Sequence, residues 1–529
     1  MKKLTVSTKL YTYIITHILF TVQEYATTYT IIPGVRLKSQ IFVDNLNYRY
    51  YKSRSRINKI YLVCENQKNR TAFCPVTAYV NTNINDNAIT VLGLHYHAPR
   101  LVDVPMVHLR RAIGITGTKP GNMSTSVREI YNREIVENPE GATNYTYLQS
   151  QMCVKKMRRR RHPNNPSTVE ELIDTLSQHQ NSAYGTTMQN PSSNFFQQHL
   201  PFMVEGERVG VIFSNLDAIQ KYREELLTVT FAGIDGTFKT VPKSPPQLTK
   251  GCLLTFQVVL KNVSFPMVYG LTSRMTQATY ESFLRIVREV LPLNYARLTI
   301  ISDYERGLIN AVESTFPESR FQGCWFHYCQ AIVRYCRRSL NSIYHLFQSN
   351  PEAATILRMI LALPHLPAQV HPNCTFTIHD GFWVIVEFAN QYPNIYQQME
   401  VFLNGYIQEF WLTQIGADSI SVYGSDIRTN NYLESFHAML LNQMGKHPNI
   451  WDFLQKLLLI ENQFYVEMDQ VRRNLTVRNH TSRVQRSDAT RRVREYIDTL
   501  NDDGNLLMFL QRAGHMMDGY LHGQVGPQP

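Results

Sequence analysis

Two aspartates have the residue type and placement that metal-dependent phosphoryl transfer requires. Asp235 and Asp303 each follow a run of apolar and β-branched residues, so each is predicted to stand at the C-terminal end of a buried strand. Neighbouring strands lie about 4.8 Å apart, and acids at their ends therefore converge. Converging carboxylates hold the hard cations, magnesium or manganese, that carry out two-metal catalysis. The alternative for Asp235 is turn chemistry, because Asp-Gly is a common turn dipeptide.

Glu434 is the best candidate for a third carboxylate. It lies in the segment Arg428-Thr-Asn-Asn-Tyr-Leu-Glu-Ser-Phe-His437, where Asn430 or Asn431 is predicted to cap a helix. Glu434 then falls in the first turn. A glutamate there often only complements the helix dipole, so the local pattern leaves both roles open.

A second set of residues has the composition of a zinc site. Cys64, Cys74, His95 and His97 lie in a β-rich stretch from about residue 38 to 97. Two thiolates and two imidazoles are the ligands of a closed, tetrahedral structural zinc. A module of this size has a small core, and a metal would supply stability that the core lacks. Two buried cysteines and an exposed His-Tyr-His segment would give the same pattern.

The order of residues around these ligands resembles a FLYWCH-type zinc finger, a DNA- or protein-binding module. The matching positions are Phe42, Asp44-Asn45, Tyr48, Cys64, Cys74-Pro75 and His95-x-His97. The sequence departs from that pattern at Leu62, where an aromatic residue is usual. The resemblance implies a structural zinc bound by both cysteines and both histidines.

A basic run and the overall charge favour a polyanionic partner. The chain has 53 Lys+Arg against 42 Asp+Glu, a net charge of +11. The run consists of Lys155, Lys156, Arg158, Arg159, Arg160 and Arg161. Clustered cations repel one another unless an anion is near, so this segment is predicted to contact phosphates or to direct nuclear import. Two helices predicted ahead of it, Val104–Ile115 and Ser124–Ile135, permit a helix-turn-helix or an ordinary linker.

Composition and the N-terminal segment limit the compartment. Eight scattered cysteines in 529 residues do not form a disulfide framework and suit a reducing compartment. The apolar run at residues 11–22 has the general shape of a signal peptide, but Lys9 and His17 interrupt it. No segment is predicted to span a membrane, and the expected location is the nucleus.

The elements that must position the acids follow a recognisable order. Strands are predicted at 228–238, 252–260, 266–272 and 297–302, with a helix at 277–291 before the last strand and another at 305–316 after it. This order of elements resembles that of an α/β ribonuclease-H-like domain, which is the expected fold. The long gap before Glu434 contains apolar helical patterns, which predict an all-helical insertion.

Four segments of this region resemble the Mutator-like element (MULE) transposase domain, over roughly residues 226–445. They are Gly233-Ile-Asp235-Gly-Thr-Phe238, Ile301-Ser-Asp303, Cys324-Trp-Phe-His327, and Thr429-Asn-Asn-Tyr-Leu-Glu434 with His437. The resemblance implies an Asp-Asp-Glu triad of Asp235, Asp303 and Glu434, magnesium or manganese as cofactor, and transposon-end and target DNA as partners. A zinc finger ahead of a MULE domain is a known pairing in transposon-derived proteins.

The Cys324-x-x-His327 pair has three interpretations. It could be half a zinc site completed by His371 and Cys374, a pair that orients DNA, or ordinary packing. The favoured interpretation is a role in the architecture of the active site, together with His437.

The predicted chain therefore has eight parts: an N-terminal extension (1–37), a FLYWCH-type finger (38–98), a helical basic linker (99–165), a lead-in (166–225), the first part of the transposase core (226–340), the helical insertion (341–425), the Glu-bearing helix with a closing amphipathic helix (426–473), and a basic tail (474–529). The leading hypothesis is a DNA transposase, which could act as a homo-oligomer. The alternatives are a retired transposase acting as a non-catalytic DNA-binding regulator, and a related nuclease without strand transfer.

Overall fold

A computed structural model describes residues 24–34, 39–82, 87–119, 122, 125–178, 183–477 and 480–525. The chain divides into two compact units, one ending at His162 and the other beginning at Pro163. Most of the predicted N-terminal extension, residues 1–23 and 35–37, lies outside the described residues. None of the described helices combines the length and the apolar composition that a membrane span requires.

The first unit opens with six antiparallel strands that close into a continuous sheet, because β1 pairs with both β2 and β6. The strands are β1 (Glu24–Pro33), β2 (Gln40–Asp44), β3 (Arg49–Arg56), β4 (Lys59–Cys64), β5 (Thr77–Asn81) and β6 (Ala88–Leu92). Alternate residues point inward, and Tyr50, Leu62 and Ile89 are fully buried. The segment 24–33, predicted as part of an extension, is thus a strand of this sheet.

Four helices complete the first unit: α1 (Val104–Thr116), α2 (Val127–Glu137), α3 (Pro139–Ala142) and α4 (Tyr147–Arg159). They share a small core that includes Leu109, Ile130 and Val154. The helix predicted from Val104 is present, capped by Asp103, whose side chain accepts a hydrogen bond from the Met106 amide. The second predicted helix begins three residues later than expected, because Ser126 is its cap.

The second unit is built on a mixed six-stranded sheet in the order β14-β13-β10-β11-β12-β9. Its strands are β9 (Gly210–Ser214), β10 (Phe231–Thr237), β11 (Leu253–Leu260), β12 (Val263–Thr272), β13 (Thr299–Ser302) and β14 (Arg320–Gly323); a small hairpin, β7 (Met203–Val204) with β8 (Glu207–Arg208), precedes them. Strands β9 to β12 pair in antiparallel fashion, whereas β10, β13 and β14 run parallel. The strands predicted for this region are all present, with shifts at their ends.

Helices cover this sheet and form the rest of the second unit. They are α5 (Val169–Ser177), α6 (Leu216–Lys221), α7 (Arg223–Leu227), α8 (Gln277–Val290), α9 (Arg306–Thr315), α10 (Trp325–Ser339), α11 (Asn341–Ser349), α12 (Pro351–Ala362), α13 (Ile378–Asn390), α14 (Pro393–Val401), α15 (Ala417–Ile420), α16 (Asn431–Met444), α17 (Ile450–Arg472), α18 (His480–Asp503), α19 (Leu506–Gly514) and α20 (Asp518–Val525). Helix α5 is capped by Thr168, whose hydroxyl accepts a hydrogen bond from the Glu171 amide.

Between β14 and α16 the named elements are all helices, joined by irregular segments such as 366–377 and 421–430. One element there was not expected: Phe402–Gly416 is a π-helix that continues α14. Trp411, on this π-helix, is buried between the rings of Tyr304 and Tyr328. The insertion therefore packs directly on the residue that follows Asp303.

Candidate active site and metal centre

The sheet brings Asp235 and Asp303 to the same edge. Strand β10 runs parallel to β13 with Gly233 opposite Ile301, so each aspartate lies two residues beyond a paired position on adjacent strands. Burial, and then the negative charge of Asp235, raise the pKa of Asp303 to about 6. Two carboxylates in such a site repel each other, and a cation between them would relieve that repulsion.

Helix α16 places Glu434 beside this edge. A Cβ atom at Gly233 would clash with the hydroxyl of Tyr432 and would lie 2.9 Å from Cδ1 of Leu433. The missing side chain of Gly233 therefore lets the first turn of α16 rest on β10. Oε1 of Glu434 lies 3.2 Å from Nε2 of His327, in the first turn of α10.

Asn430 is the residue before α16, as predicted, but it does not cap the helix through its side chain. Its backbone is almost helical, with φ −88° and ψ 23°, whereas a capping side chain normally needs an extended residue. Both polar atoms of its buried side chain lack a hydrogen-bond partner among the described residues. The capping prediction was thus right about the position and wrong about the mechanism.

Two histidines hold the acids in place. Nδ1 of His437, one turn after Glu434, lies 3.3 Å from Oδ2 of Asp235, and its Nε2 lies 3.4 Å from the Thr255 hydroxyl. The backbone amide of Gly236 donates to Oδ1 of Asp235 over 2.7 Å. Asp235 and Glu434, two of the three acids of the predicted triad, thus each have an imidazole partner.

The oxygens of the three predicted acids do not form a tight ligand cluster in the described part of the chain. The one group of three or more such ligand atoms found there is the Cys/His set described below. Glu434 is turned toward His327 and Asp235 toward His437.

Cys324 serves the architecture of this site. It is fully buried before α10, and its sulfur accepts a hydrogen bond from the Asn430 amide over 3.4 Å. Burial raises the pKa of the Cys324 thiol to about 11, so the thiol is neutral at physiological pH. The sulfur thereby joins the start of α10 to the start of α16.

The structure gives no support for a zinc site formed by Cys324 and His327 with His371 and Cys374. His371 and Cys374 bond to each other through their backbones in a tight turn. They do not join Cys324 and His327 in a ligand cluster within the described ranges.

The predicted zinc ligands of the first unit do converge. One ligand atom from each of Cys64, Cys74, His95 and His97 lies within 4.8 Å of the other three. Neighbouring atoms are 3.2 to 3.4 Å apart, from Cys64 Sγ to His97 Nε2 and from Cys74 Sγ to His95 Nδ1. Tetrahedral zinc with its usual bond lengths separates ligand atoms by roughly 3.3–3.8 Å. The geometry and the donor types therefore fit zinc.

Outer contacts fix the ring orientation of both histidines. Nε2 of His95 donates to the Tyr50 hydroxyl over 2.8 Å, and that hydroxyl donates to Asp44 over 2.9 Å. Nδ1 of His97 donates to the Ala98 carbonyl over 3.0 Å. Burial, with His97 beside it, lowers the pKa of His95 to about 4, so its ring is neutral at pH 7 and available as a ligand.

The predicted basic run divides into two groups. Arg158 donates to the carbonyls of Gly117, Asn122 and Thr125, and Arg161 donates to that of Thr118. These two arginines hold the loop between α1 and α2. The other four cations, Lys155, Lys156, Arg159 and Arg160, are exposed.

Sequence reasoning missed the contacts that orient the acids. Gly233 was noted only as part of a motif, although a glycine in a buried strand is a signal of close backbone approach. The i, i+3 spacing of Glu434 and His437 places both side chains on one helix face, which was a further signal. The partners of these residues come from segments distant in sequence, and no local pattern reveals them.

Comparison with known proteins identifies one segment. None of the curated proteins compared matches the chain. The family match covers less than half of the chain and runs from β10 into α10, so it contains Asp235, Asp303, Cys324 and His327 but not Glu434. It does not reach residues 38–98, where the FLYWCH-type resemblance stays a prediction. Residues 231–331 match the MULE transposase domain.

Proposed function

We propose that this protein is a Mutator-like DNA transposase, or a protein descended from one, that cleaves and transfers DNA strands at a site formed by Asp235, Asp303 and Glu434. The MULE match over residues 231–331 suggests this class. The observation that carries the proposal is the placement of the aspartates on adjacent parallel strands, Asp235 within β10 and Asp303 directly after β13, with Glu434 on a helix seated over Gly233.

The strand order supports a ribonuclease-H-like assignment for this unit. Three antiparallel strands, β12, β11 and β10, are followed outward by the parallel strands β13 and β14. The first aspartate lies on the central strand β10 and the second follows β13. This is the arrangement expected for a domain that assembles acids at one sheet edge.

The donor set fits magnesium or manganese, since it consists of carboxylate oxygens. When bound, two such ions stabilise the attacking and leaving oxygens of phosphoryl transfer. Asp235, Asp303 and Glu434 would hold them. His437 and the Gly236 amide orient Asp235, and His327 orients Glu434.

We further propose that the first unit is a zinc-stabilised module of the FLYWCH type that binds DNA. The convergence of Cys64, Cys74, His95 and His97 supports zinc. The net charge of +11 and the four exposed cations of the basic run support contacts with DNA phosphates. Such a protein acts in the nucleus.

A non-catalytic DNA-binding regulator is the second candidate. One observation favours it: Asp235 and Glu434 each face an imidazole rather than converging with Asp303. If these pairs persist in the presence of divalent ions, the acids do not form a catalytic centre.

Manganese-dependent cleavage distinguishes the candidates. The full chain is incubated with duplex DNA carrying the terminal repeats that flank its own coding sequence, with Asp303→Asn and the exposed Glu409→Gln as variants. We expect the parent and Glu409→Gln to nick the DNA, and Asp303→Asn to bind it with no detectable nicking, since an amide lacks the charge that a divalent ion needs. Equal nicking by parent and Asp303→Asn, or binding without nicking by all three, would remove the enzyme proposal.

A further inference from the structure

Beyond Tyr51, strand β3 of the β3–β4 hairpin forms an open edge of the sheet. Residues 51–56 of β3 are all exposed, and Ile57 at the turn is 95% exposed. Strand β2 pairs with β3 only as far as Tyr51, so residues 52–56 have no strand partner on that side in the described part of the unit. A long open edge of this kind usually either is protected or receives a partner.

Four cations occupy this hairpin, which we call the basic ribbon: residues 52–61. They are Lys52, Arg54, Arg56 and Lys59. Among the described residues none of the four lies within ion-pairing distance of an acid. The ribbon therefore presents uncompensated positive charge along one edge.

Tyrosine rings organise these cations. The guanidinium of Arg54 lies 4.7 Å from the ring centre of Tyr61, and the amine of Lys59 lies 4.0 Å from that of Tyr79. Tyr61 and Tyr79 are cross-strand neighbours on β4 and β5, and Arg54 is opposite Tyr61 on β3. Cation–π contacts reduce the freedom of long side chains while leaving their hydrogen-bond donors available.

The root of the ribbon lies beside the Cys/His cluster. Strand β4 ends at Cys64, which is opposite the buried Tyr50 and belongs to the Cys/His cluster. Strand β4 pairs with β3 on one side and with β5 on the other as far as Lys59, so β3 beyond Tyr51 is the open edge of a continuous sheet. Proteins that read DNA with a β-sheet place strands in a groove of the duplex, and the major groove of B-DNA is about 12 Å wide.

We propose that the basic ribbon enters the major groove of duplex DNA, with Arg54, Arg56 and Lys59 on phosphates or base edges and Ile57 at the groove floor. This inference rests on the proposed function and names the surface through which the first unit meets DNA. Charges and a bulge between Lys52 and Arg54 also protect an edge strand. Edge protection alone, however, does not account for Lys59 and the tyrosines of the inner strands.

The test measures binding of the full chain to duplex DNA by fluorescence anisotropy over a series of salt concentrations. The variant carries Arg54→Gln, Arg56→Gln and Lys59→Gln. A matched control carries Lys68→Gln, Arg70→Gln and Arg133→Gln, which remove three exposed charges elsewhere in the same unit. Zinc content and proteolysis establish that both variants are folded.

We expect the ribbon variant to bind at least about tenfold more weakly, and the slope of log K against log salt to fall by about 0.9 for each phosphate that the ribbon no longer neutralises. The control should change neither by more than about twofold. A variant with Arg54→Lys and Arg56→Lys should keep the salt slope. Methyl green, which occupies the major groove, should compete with the parent, and netropsin, which occupies the minor groove, should not.

Three outcomes would reject entry of the ribbon into the major groove. They are an equal loss of affinity in the ribbon and control variants, competition by netropsin alone, and a ribbon variant that aggregates while its DNA affinity is unchanged. The last outcome would mean that the charges only protect an edge strand. Tighter binding to single strands than to duplex, abolished in the same variant, would assign the tyrosines to stacking and also reject groove entry. The cleavage assay tests the catalytic proposal independently. If the ribbon variant binds DNA more weakly but nicking does not depend on Asp303, the DNA-binding role of the ribbon stands and the catalytic proposal is rejected.

Discussion

His437 connects the two sides of the candidate active site. Its Nδ1 lies 3.3 Å from Oδ2 of Asp235, and its helix also carries Glu434 one turn earlier. A single α16 helix thus supplies one acid and orients another.

Replacing His437 should show whether it acts by orienting the carboxylate of Asp235. We expect His437→Ala to lower the rate of DNA nicking by about 10- to 100-fold, because a misplaced catalytic group costs rates of this order. His437→Asn, whose amide nitrogen can occupy the place of Nδ1, should retain more activity than His437→Gln. Single-turnover nicking at saturating DNA measures the effect, and equal rates for the Asn and Gln variants would contradict it.

Gly233 should be intolerant of even a methyl group. We expect Gly233→Ala to push Tyr432 and Leu433 away from β10. This should lower the free energy of unfolding by about 1–3 kcal/mol and the nicking rate by about 100-fold. Urea unfolding and nicking measure the two effects.

Gly405→Ala is the control, since an added methyl there meets open space. Adding Tyr432→Phe to Gly233→Ala should restore part of the stability, because it removes the hydroxyl that the methyl meets. A Gly233→Ala protein as stable and as active as the Gly405→Ala protein would show that α16 does not rest on this glycine.

The Tyr50 hydroxyl should contribute to zinc affinity. Tyr50→Phe removes the acceptor for Nε2 of His95, and removal of such an outer hydrogen bond typically weakens metal binding about 10- to 100-fold. Tyr48→Phe is the control, because its ring stacks on His95 at 3.7 Å and the phenyl ring preserves that stacking. Competition with a chelator measures affinity.

Complete chelation should make the first unit protease-sensitive while the second remains resistant. Because burial raises the pKa of the Cys64 thiol to about 12, zinc uptake should release protons, and affinity should weaken as pH falls. Unchanged protease resistance after chelation would reject a structural metal.

Glu461 predicts a pH dependence of stability. It is buried in α17, where burial raises its pKa although the amides of Asn215 and Gln189 donate to it. Above the ordinary carboxyl pKa of about 4.3, the unfolded chain ionises freely, whereas the folded one must charge a buried group. Its contribution to the free energy of unfolding is therefore complete below that pH and is lost as pH rises through the raised pKa.

Glu461→Gln should flatten this fall and make the protein more stable than the parent at neutral pH. The measurement is the urea midpoint followed by fluorescence of Trp451, which lies on the same helix. Glu409→Gln is the exposed control. A larger stabilisation at acidic than at neutral pH would reverse the expected sign and reject this account.

Arg158 should contribute to stability, whereas its neighbours Lys155 and Lys156 should contribute to DNA binding. Arg158→Met removes three hydrogen bonds to loop carbonyls and should lower the free energy of unfolding of the first unit by about 2 kcal/mol. The exposed pair Lys155→Gln with Lys156→Gln should leave stability unchanged and weaken DNA binding. Urea unfolding and anisotropy titrations of both variants measure these two effects. If Arg158→Met instead weakened DNA binding and left stability unchanged, Arg158 would be a DNA-contacting residue.

Local patterns were sufficient to predict the strands at 231–237, 253–260, 263–272 and 299–302, although Asp235 lies inside β10, two residues before its end. The buried run before Asp303 and the apolar face of α8 are signals carried by neighbouring residues. The Cys/His cluster was open to prediction because its two thiols and two imidazoles all fall in one small β-rich stretch. The placement of Glu434 was predicted from its resemblance, and its contact with His327 depends on a helix about a hundred residues earlier.

Other features escaped because tertiary packing decides them. The segment 24–33 alternates exposed and partly buried residues and becomes a strand only by pairing with β2 and β6. Arg158 and Arg161 belong to a run whose composition predicts solvent exposure, yet a loop folded beside them supplies carbonyl acceptors. The π-helix gives no composition signal, since its sequence also suits an α-helix.

That π-helix has a consequence for insertions and deletions in the chain. Its wide turns stack Tyr406 on Phe410, with ring centres 5.4 Å apart, and direct Trp411 against Tyr304. Deletion of one residue would tighten a turn and rotate Trp411 away from the residue that adjoins Asp303. The length of this segment is therefore coupled to the position of Asp303, more than a hundred residues earlier in the chain. A change of length in the π-helix would alter the geometry at the edge of the sheet.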